Sequence, residues 1–288
     1  MSADMNMDSQ TIPNGFQFSQ GSLQDFSDCR RRFQLRYMQE VAWPAVQSEP
    51  AMENERSLQQ GARFHHLVYQ HLLGVPTERL TATIHSDDLR RWWENYLEYS
   101  GNLLAEKYRL YPEKTLNGPL GNYRLLAKYD LVAVTRSGKC TIFDWKTSRR
   151  RPRRTWLAER LQTRVYPYLL VQAGGGFMSH PNLAPEQVEM VYWFSEFPDQ
   201  PERFVYDQAH YHADKEYLQG LIIELEGRAQ KGDFPLTQDE RQCAYCVYRS
   251  LCERGVQAGS LEALEASVQV EGDIEIDLDF EQVAEIEF

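Results

Sequence analysis

The stretch from Tyr123 to Tyr166, YRLLAKYDLVAVTRSGKCTIFDWKTSRRRPRRTWLAERLQTRVY, decides how the chain is read. Arg124 to Val134 and Cys140 to Lys146 are rich in apolar residues, and the five residues between them have turn composition, so a β-hairpin is expected. With the turn centred on Ser137, Val134 pairs with Cys140 and Asp130 falls opposite Asp144. Directly opposed residues have Cβ atoms about 4.5–5.5 Å apart, and Lys146, two residues beyond Asp144, points to the same face. An isolated D-x-K triplet is ordinarily a solvent-facing edge charge. Here two carboxylates side by side repel unless a cation, a proton or the lysine offsets them. A hard divalent cation, Mg²⁺ or Mn²⁺, suits that ligand set.

Working outward, Thr155 to Val171 has the period of an amphipathic helix and carries Gln162 and Tyr166 four apart, on one face. Upstream, Glu53 to Leu73 reads as a helix bearing Gly61, His65, His66 and His71, and Asp87-Asp88 caps another that runs through Trp92, Trp93 and Tyr96. Glu113 closes that region and reads first as a surface glutamate, with a part in the site left open; Gly118, Pro119 and Gly121 punctuate the approach to the hairpin. Val188 to Phe194 is a strand, Phe204 to Tyr206 a candidate for another, and Ala213 to Ala229 a helix. A mixed α/β fold follows, with a mixed central sheet flanked by helices.

These motifs resemble those of a RecB-type nuclease of the PD-(D/E)xK superfamily, from Phe18 to about Arg254. Asp130 in AKYDLV and Asp144-Trp145-Lys146 correspond to the family's metal acid and its D-x-K triplet, Gln162 to Tyr166 to its Q-x-x-x-Y, and Gly61 to His65 to its G-x-x-x-H. The resemblance implies a restriction-endonuclease-like fold. It also implies a metal held by His65, Asp130, Asp144 and the Trp145 carbonyl, with Lys146, Gln162 and Tyr166 completing the catalytic set. The implied activity is metal-dependent hydrolysis of DNA, as an exonuclease in repair, recombination or CRISPR adaptation. The alternative is a non-cleaving iron-sulfur module that binds nucleic acid; an electron-transfer role lacks a flavin or second-cluster motif.

Cys243, Cys246 and Cys252 form a C-x₂-C-x₅-C array that needs a fourth ligand to close a tetrahedral or cubane site, for which Cys29 is the natural candidate. AddB and the CRISPR-associated adaptation exonucleases are similar in carrying one cysteine before the nuclease motifs and three after them, although Arg30 replaces the proline of their C-P-x-x-F segment. Ligand softness and the resemblance favour a 4Fe-4S cluster over zinc. Such a cluster would join the N- and C-terminal segments. Cys140 is expected in the core.

The 288-residue chain carries a formal charge of −11, yet ten acidic residues and no lysine or arginine lie between Val256 and Phe288, leaving about −1 for the rest. Arg149, Arg150, Arg151, Arg153 and Arg154 follow Lys146 closely, where contacts to DNA phosphates would be useful. Residues 1–17 read as a disordered leader, 18–255 as the nuclease domain and 256–288 as an acidic tail. The tail would solubilise, dock on the arginines in place of DNA, or add a strand to a protein partner. No signal peptide or membrane span is visible, which suggests a cytoplasmic protein without membrane contact.

Overall fold

Strand β3 (Tyr123–Val134) and strand β4 (Cys140–Lys146) form the expected hairpin in the computed structural model, with Val134 paired to Cys140 and Leu131 to Phe143. Gly138, at φ 85°, supplies the left-handed residue that the turn requires. The structure describes residues 11–41, 49–105, 108–176, 182–244 and 246–255. The acidic tail and residues 1–10 of the expected leader lie outside them.

The other elements, in chain order, are β1 (Gln17–Ser19), α1 (Gln20–Asp28), α2 (Arg30–Phe33), α3 (Glu49–Leu72), α4 (Thr77–Thr81), α5 (Asp87–Ala105) and β2 (Arg109–Leu120) before the hairpin. After it come α6 (Arg154–Glu159), α7 (Leu161–Ala173), β5 (Val188–Phe194), β6 (Phe197–Val205), α8 (Gln208–Lys231) and α9 (Arg241–Ala244). The six-stranded sheet is mixed: β1 pairs parallel to β3 and β4 parallel to β5, while β2–β3, β3–β4 and β5–β6 are antiparallel. A parallel pair needs a crossover, and α6 and α7 supply it between β4 and β5. One face packs under Phe26, Leu169 and Leu225 of α1, α7 and α8; the other packs under Phe64, Trp93 and Tyr96 of α3 and α5. The mixed α/β architecture is therefore as expected.

Several details differ. Gln17 lies in a strand and Ile12 and Phe16 pack on the core, so residues 11–17 are not a free leader. Ser19 caps α1 in a reciprocal capping box with Ser22, and the helix breaks at Cys29, which is extended (φ −156°, ψ 109°). The expected helix over 155–171 is two helices separated by extended Arg160, where Gln24 Oε1 accepts the Leu161 N–H at 3.2 Å. Strand β2 was not expected, because Pro112, Gly118 and Pro119 oppose strand formation. Its only partner among the described residues is β3, so the prolines sit on an edge strand, where a missing N–H is tolerated. A Cβ on Gly118 would lie 2.7 Å from Leu169 Cδ1, in the filled core under α7. Gly118→Ala is expected to cost about 1–3 kcal/mol, measured as a lower urea midpoint with unchanged slope.

Candidate active site

Strands β2 and β3 break their alternation together. On β3, Leu125, Ala127 and Tyr129 face the α7 side, but so do Val132 and Val134, so the facing parity switches near Asp130. On β2, Leu116 and Leu120 face that side and so does Tyr111. The ladder skips the step where Glu113 opposes Asp130, between Lys114↔Tyr129 and Pro112↔Leu131, and Glu113 has φ 50°. A left-handed glutamate is a strained residue held by its surroundings. Its effect is to turn both strands at one point and gather carboxylates there.

His65 on α3 reaches this point, with Nδ1 3.2 Å from Asp130 Oδ1. Asp130 Oδ2 accepts the Trp145 N–H at 2.8 Å, just beyond the last β3–β4 pair, so a side chain replaces the main-chain ladder. The Trp145 carbonyl projects to the same edge as its N–H. Ligand atoms of His65, Glu113 and Asp130 all lie within 4.8 Å of one another. Glu113 also pairs with Lys128 at 2.6 Å, and is half-buried. The sequence left the part of Glu113 open and favoured a plain surface residue because β2 was not legible; its place in the ladder opposite Asp130 brings it to the group.

Asp144 and Lys146 project beside this group, toward α7. Asp144 Oδ1 accepts from Gln162 Nε2 at 2.6 Å, Gln162 Oε1 accepts from Lys146 Nζ at 2.9 Å, and Lys146 Nζ lies 3.1 Å from Asp144 Oδ2. The Arg160 break puts Gln162 in the first turn of α7, where it can close this ring. Lys146 Nζ also sits 5.5 Å over the Tyr192 ring, whose hydroxyl bonds Thr163 Oγ1 at 2.7 Å. Tyr166, one turn along α7, is buried with its ring 4.9 Å from Tyr129 and its carbonyl accepting the Tyr129 hydroxyl.

Burial raises the Asp144 carboxyl to about 7, the Lys146 ammonium working against the shift and the Asp130 charge adding to it. Asp130 is held below the usual carboxylate range: burial opposes ionisation, but His65, the Trp145 N–H and Lys146 outweigh it. Burial likewise opposes charge on His65, and Asp130, Asp144 and Glu113 overcome it, lifting the imidazole above its ordinary value. Three carboxylates gather around one imidazole, with the Lys146 ammonium beside Asp144 and the Lys128 ammonium on the outer side of Glu113. The donor set of oxygens and one imidazole nitrogen fits a hard divalent cation, which would relieve that crowding.

The arginine run is not uniformly displayed. Arg151 and Arg154 both bind Glu202 on β6, and Arg154 stacks over Phe204 at 4.3 Å. Arg149 and Arg153 are exposed and Arg150 half-buried, with Arg149 lying 3.9 Å from Asp88. Cys29, Cys243, Cys246 and Cys252 line one pocket, while Cys140 is buried in the hairpin.

The sequence matches that of the PD-(D/E)XK nuclease superfamily over residues 17–253, most of the chain. The chain belongs to this superfamily. The superfamily match runs from β1 to beyond α9, so the kinked strands, the D-x-K strand and the cysteine segment all fall within one PD-(D/E)XK unit. Among solved structures, the chain is similar to SSO0001 at 12% identity and TM-score 0.38, covering 86% of this chain and 90% of that one. It is also similar to a candidate exonuclease from Eubacterium rectale at 10% identity and TM-score 0.48, covering 93% and 98%. No curated protein sequence matches it. Among the described residues no helix is long and apolar enough to cross a membrane.

Proposed function

We propose that this PD-(D/E)XK protein is a RecB-like, Mg²⁺- or Mn²⁺-dependent deoxyribonuclease acting on DNA ends as an exonuclease. The observation that carries the reading is the convergence of His65, Glu113 and Asp130 beside the Asp144–Lys146–Gln162 ring. His65, Asp130, Asp144 and the Trp145 carbonyl would hold the cation, with Glu113 as an added carboxylate. The cation supplies Lewis-acid activation and neutralises charge on the scissile phosphate. Lys146 donates to the charge that develops on the phosphate oxygens, or orients the attacking water. Gln162 restrains Lys146 and Asp144 at once, so the ammonium is held before substrate arrives. Tyr166 secures α7 against β3 through Tyr129. Arg149, Arg150 and Arg153 bind backbone phosphates, whereas Arg151 and Arg154 first anchor the β4–α6 connection to Glu202.

The second part of the reading is a 4Fe-4S cluster on Cys29, Cys243, Cys246 and Cys252, supported by their shared pocket and by thiolate preference for iron-sulfur centres. Its role is structural, closing the long loop between α1 and α9. The protein is read as cytoplasmic, the compartment in which cysteines stay free for metal.

End-labelled single-stranded and duplex DNA, incubated with the purified protein with and without Mn²⁺, tests the nuclease reading. Expected is Mn²⁺-dependent release of short products from an end. DNA binding without cleavage at any metal concentration would instead leave the non-cleaving module. Glu113→Gln is expected to weaken Mn²⁺ binding by about tenfold or more, read by isothermal titration and by the metal concentration giving half-maximal cleavage.

A further inference from the structure

Tyr192 on β5 pairs with Asp144 in the parallel β4–β5 ladder, and Phe194, two residues on, pairs with Lys146. Residues side by side or two apart project from one face of a sheet, so Asp144, Lys146 and Tyr192 share the side that α7 covers. The Lys146 ammonium lies 5.5 Å from the centre of the Tyr192 ring, within the roughly 6 Å over which a cation is drawn to an aromatic face. Tyr192 is 1% exposed, so little water screens that attraction. Phe204 of β6 packs edge-on against the same ring at 5.9 Å, which holds it in place from the far side of β5.

The hydrogen bonds fix the polarity of the phenol. Thr163 has a single hydroxyl hydrogen, and it is donated to the Leu157 carbonyl, which can only accept. In the 2.7 Å contact between the Thr163 and Tyr192 hydroxyls, Tyr192 is therefore the donor. What the phenol offers its other neighbours is its ring face and its oxygen lone pairs, both electron-rich, which suits an ammonium. Thr163 follows Gln162 directly, in the first turn of α7. That one turn thus grips the lysine through Gln162 and the tyrosine beside it through Thr163.

We propose that Tyr192 is a positioning residue for cleavage: with Thr163 holding its hydroxyl, it fixes the Lys146 ammonium from the β5 side as Gln162 does from the α7 side. This rests on the nuclease reading above and deepens it, since that reading gives the ammonium its task and Tyr192 gives it a place. A lysine carries its charge on a flexible four-carbon stem, and a misplacement of about 1 Å near the chemistry can cost on the order of 10²-fold in rate. Tyr192 is closed off from solvent, so its effect falls on the chemical step and not on holding DNA.

The test uses the full chain with end-labelled DNA and Mn²⁺, protein in excess so that slow variants are still measured, and follows the single-turnover rate and the DNA affinity separately. Tyr192→Leu is expected to lower the rate by about tenfold to a hundredfold at unchanged DNA affinity, and Tyr192→Phe, which keeps the ring, to lie between it and the parent. In a Lys146→Ala background Tyr192→Leu should cause no further loss, because residues that act as one unit are not additive. A parent that cuts no DNA at any Mn²⁺ concentration removes the nuclease reading and this inference with it. If the parent cuts and Tyr192→Leu matches its rate, this inference alone fails. It fails equally if Tyr192→Leu costs as much in the Lys146→Ala background as in the parent, which would mark a tyrosine that only supports the fold. Should Tyr192→Leu not fold, Thr163→Val decides: it removes the acceptor of the phenol hydrogen from a half-buried position with little change of volume. That variant is expected to slow the parent severalfold and to leave Lys146→Ala unchanged, and a Thr163→Val protein with the parent's rate overturns the proposal.

Discussion

Asp144→Asn and Lys146→Ala are each expected to lower DNA cleavage by on the order of 10²–10³-fold or more, with DNA binding retained. The two residues share one closed arrangement: Gln162 donates to Asp144 and accepts from Lys146, while the ammonium sits 3.1 Å from the carboxylate. Removing either leaves the other without the partner that fixes it. Asp144 is 4% exposed, with its carboxyl pushed up to about 7 by burial, so its ionised form is a cost to the fold that Lys146 offsets only in part and a divalent cation would offset further. Asparagine removes that charge while preserving shape and one acceptor for Gln162. The variant should therefore melt within a few degrees of the parent without divalent metal. In Mn²⁺ the parent should gain stability, by about 2.7 kcal/mol at a concentration one hundred times its dissociation constant, and Asp144→Asn should lose most of that gain. Undiminished cleavage by either variant would remove this ring from the reaction.

The hairpin that carries these residues was legible because its apolar runs and turn composition leave one register, and that register holds through Leu131↔Phe143. Local pattern reached no further than local causes. The role of Glu113 stayed undecided because the strand that delivers it contains Pro112, Gly118 and Pro119, and among the described residues it pairs only with β3 as an edge strand. The Arg160 break was invisible because the sequence around it favours helix, while the acceptor for the freed Leu161 N–H comes from Gln24 on α1. Likewise the arginine run looked like a continuous phosphate-binding surface until Glu202, remote in sequence, was seen between Arg151 and Arg154. Conversely Cys29 was grouped with the distant cysteines from ligand chemistry together with the family resemblance, and the four line one pocket. Its extended backbone, which interrupts α1 and α2, is a feature no periodicity disclosed.

Cys246→Ala is expected to lose the brown chromophore and to lower stability sharply, and the two losses should coincide. In the proposed cluster, bonds from the metal group to Cys29, Cys243, Cys246 and Cys252 would close a loop that contains nearly the whole sheet. A cross-link spanning more than a hundred residues restricts the unfolded chain by about 5 kcal/mol in the loop-entropy treatment. In a chain of this size each kcal/mol moves the melting temperature by about 2–4 °C, so a fall of about 10 °C or more is expected. Cys140→Ala is the control: that thiol is fully buried in the hairpin, away from the pocket, and its loss should cost only a small cavity while metal content stays at the parent value. Melting curves and elemental iron on the same preparations check both variants. A Cys246→Ala protein with the parent's iron content and melting temperature would show that the four cysteines do not staple the fold.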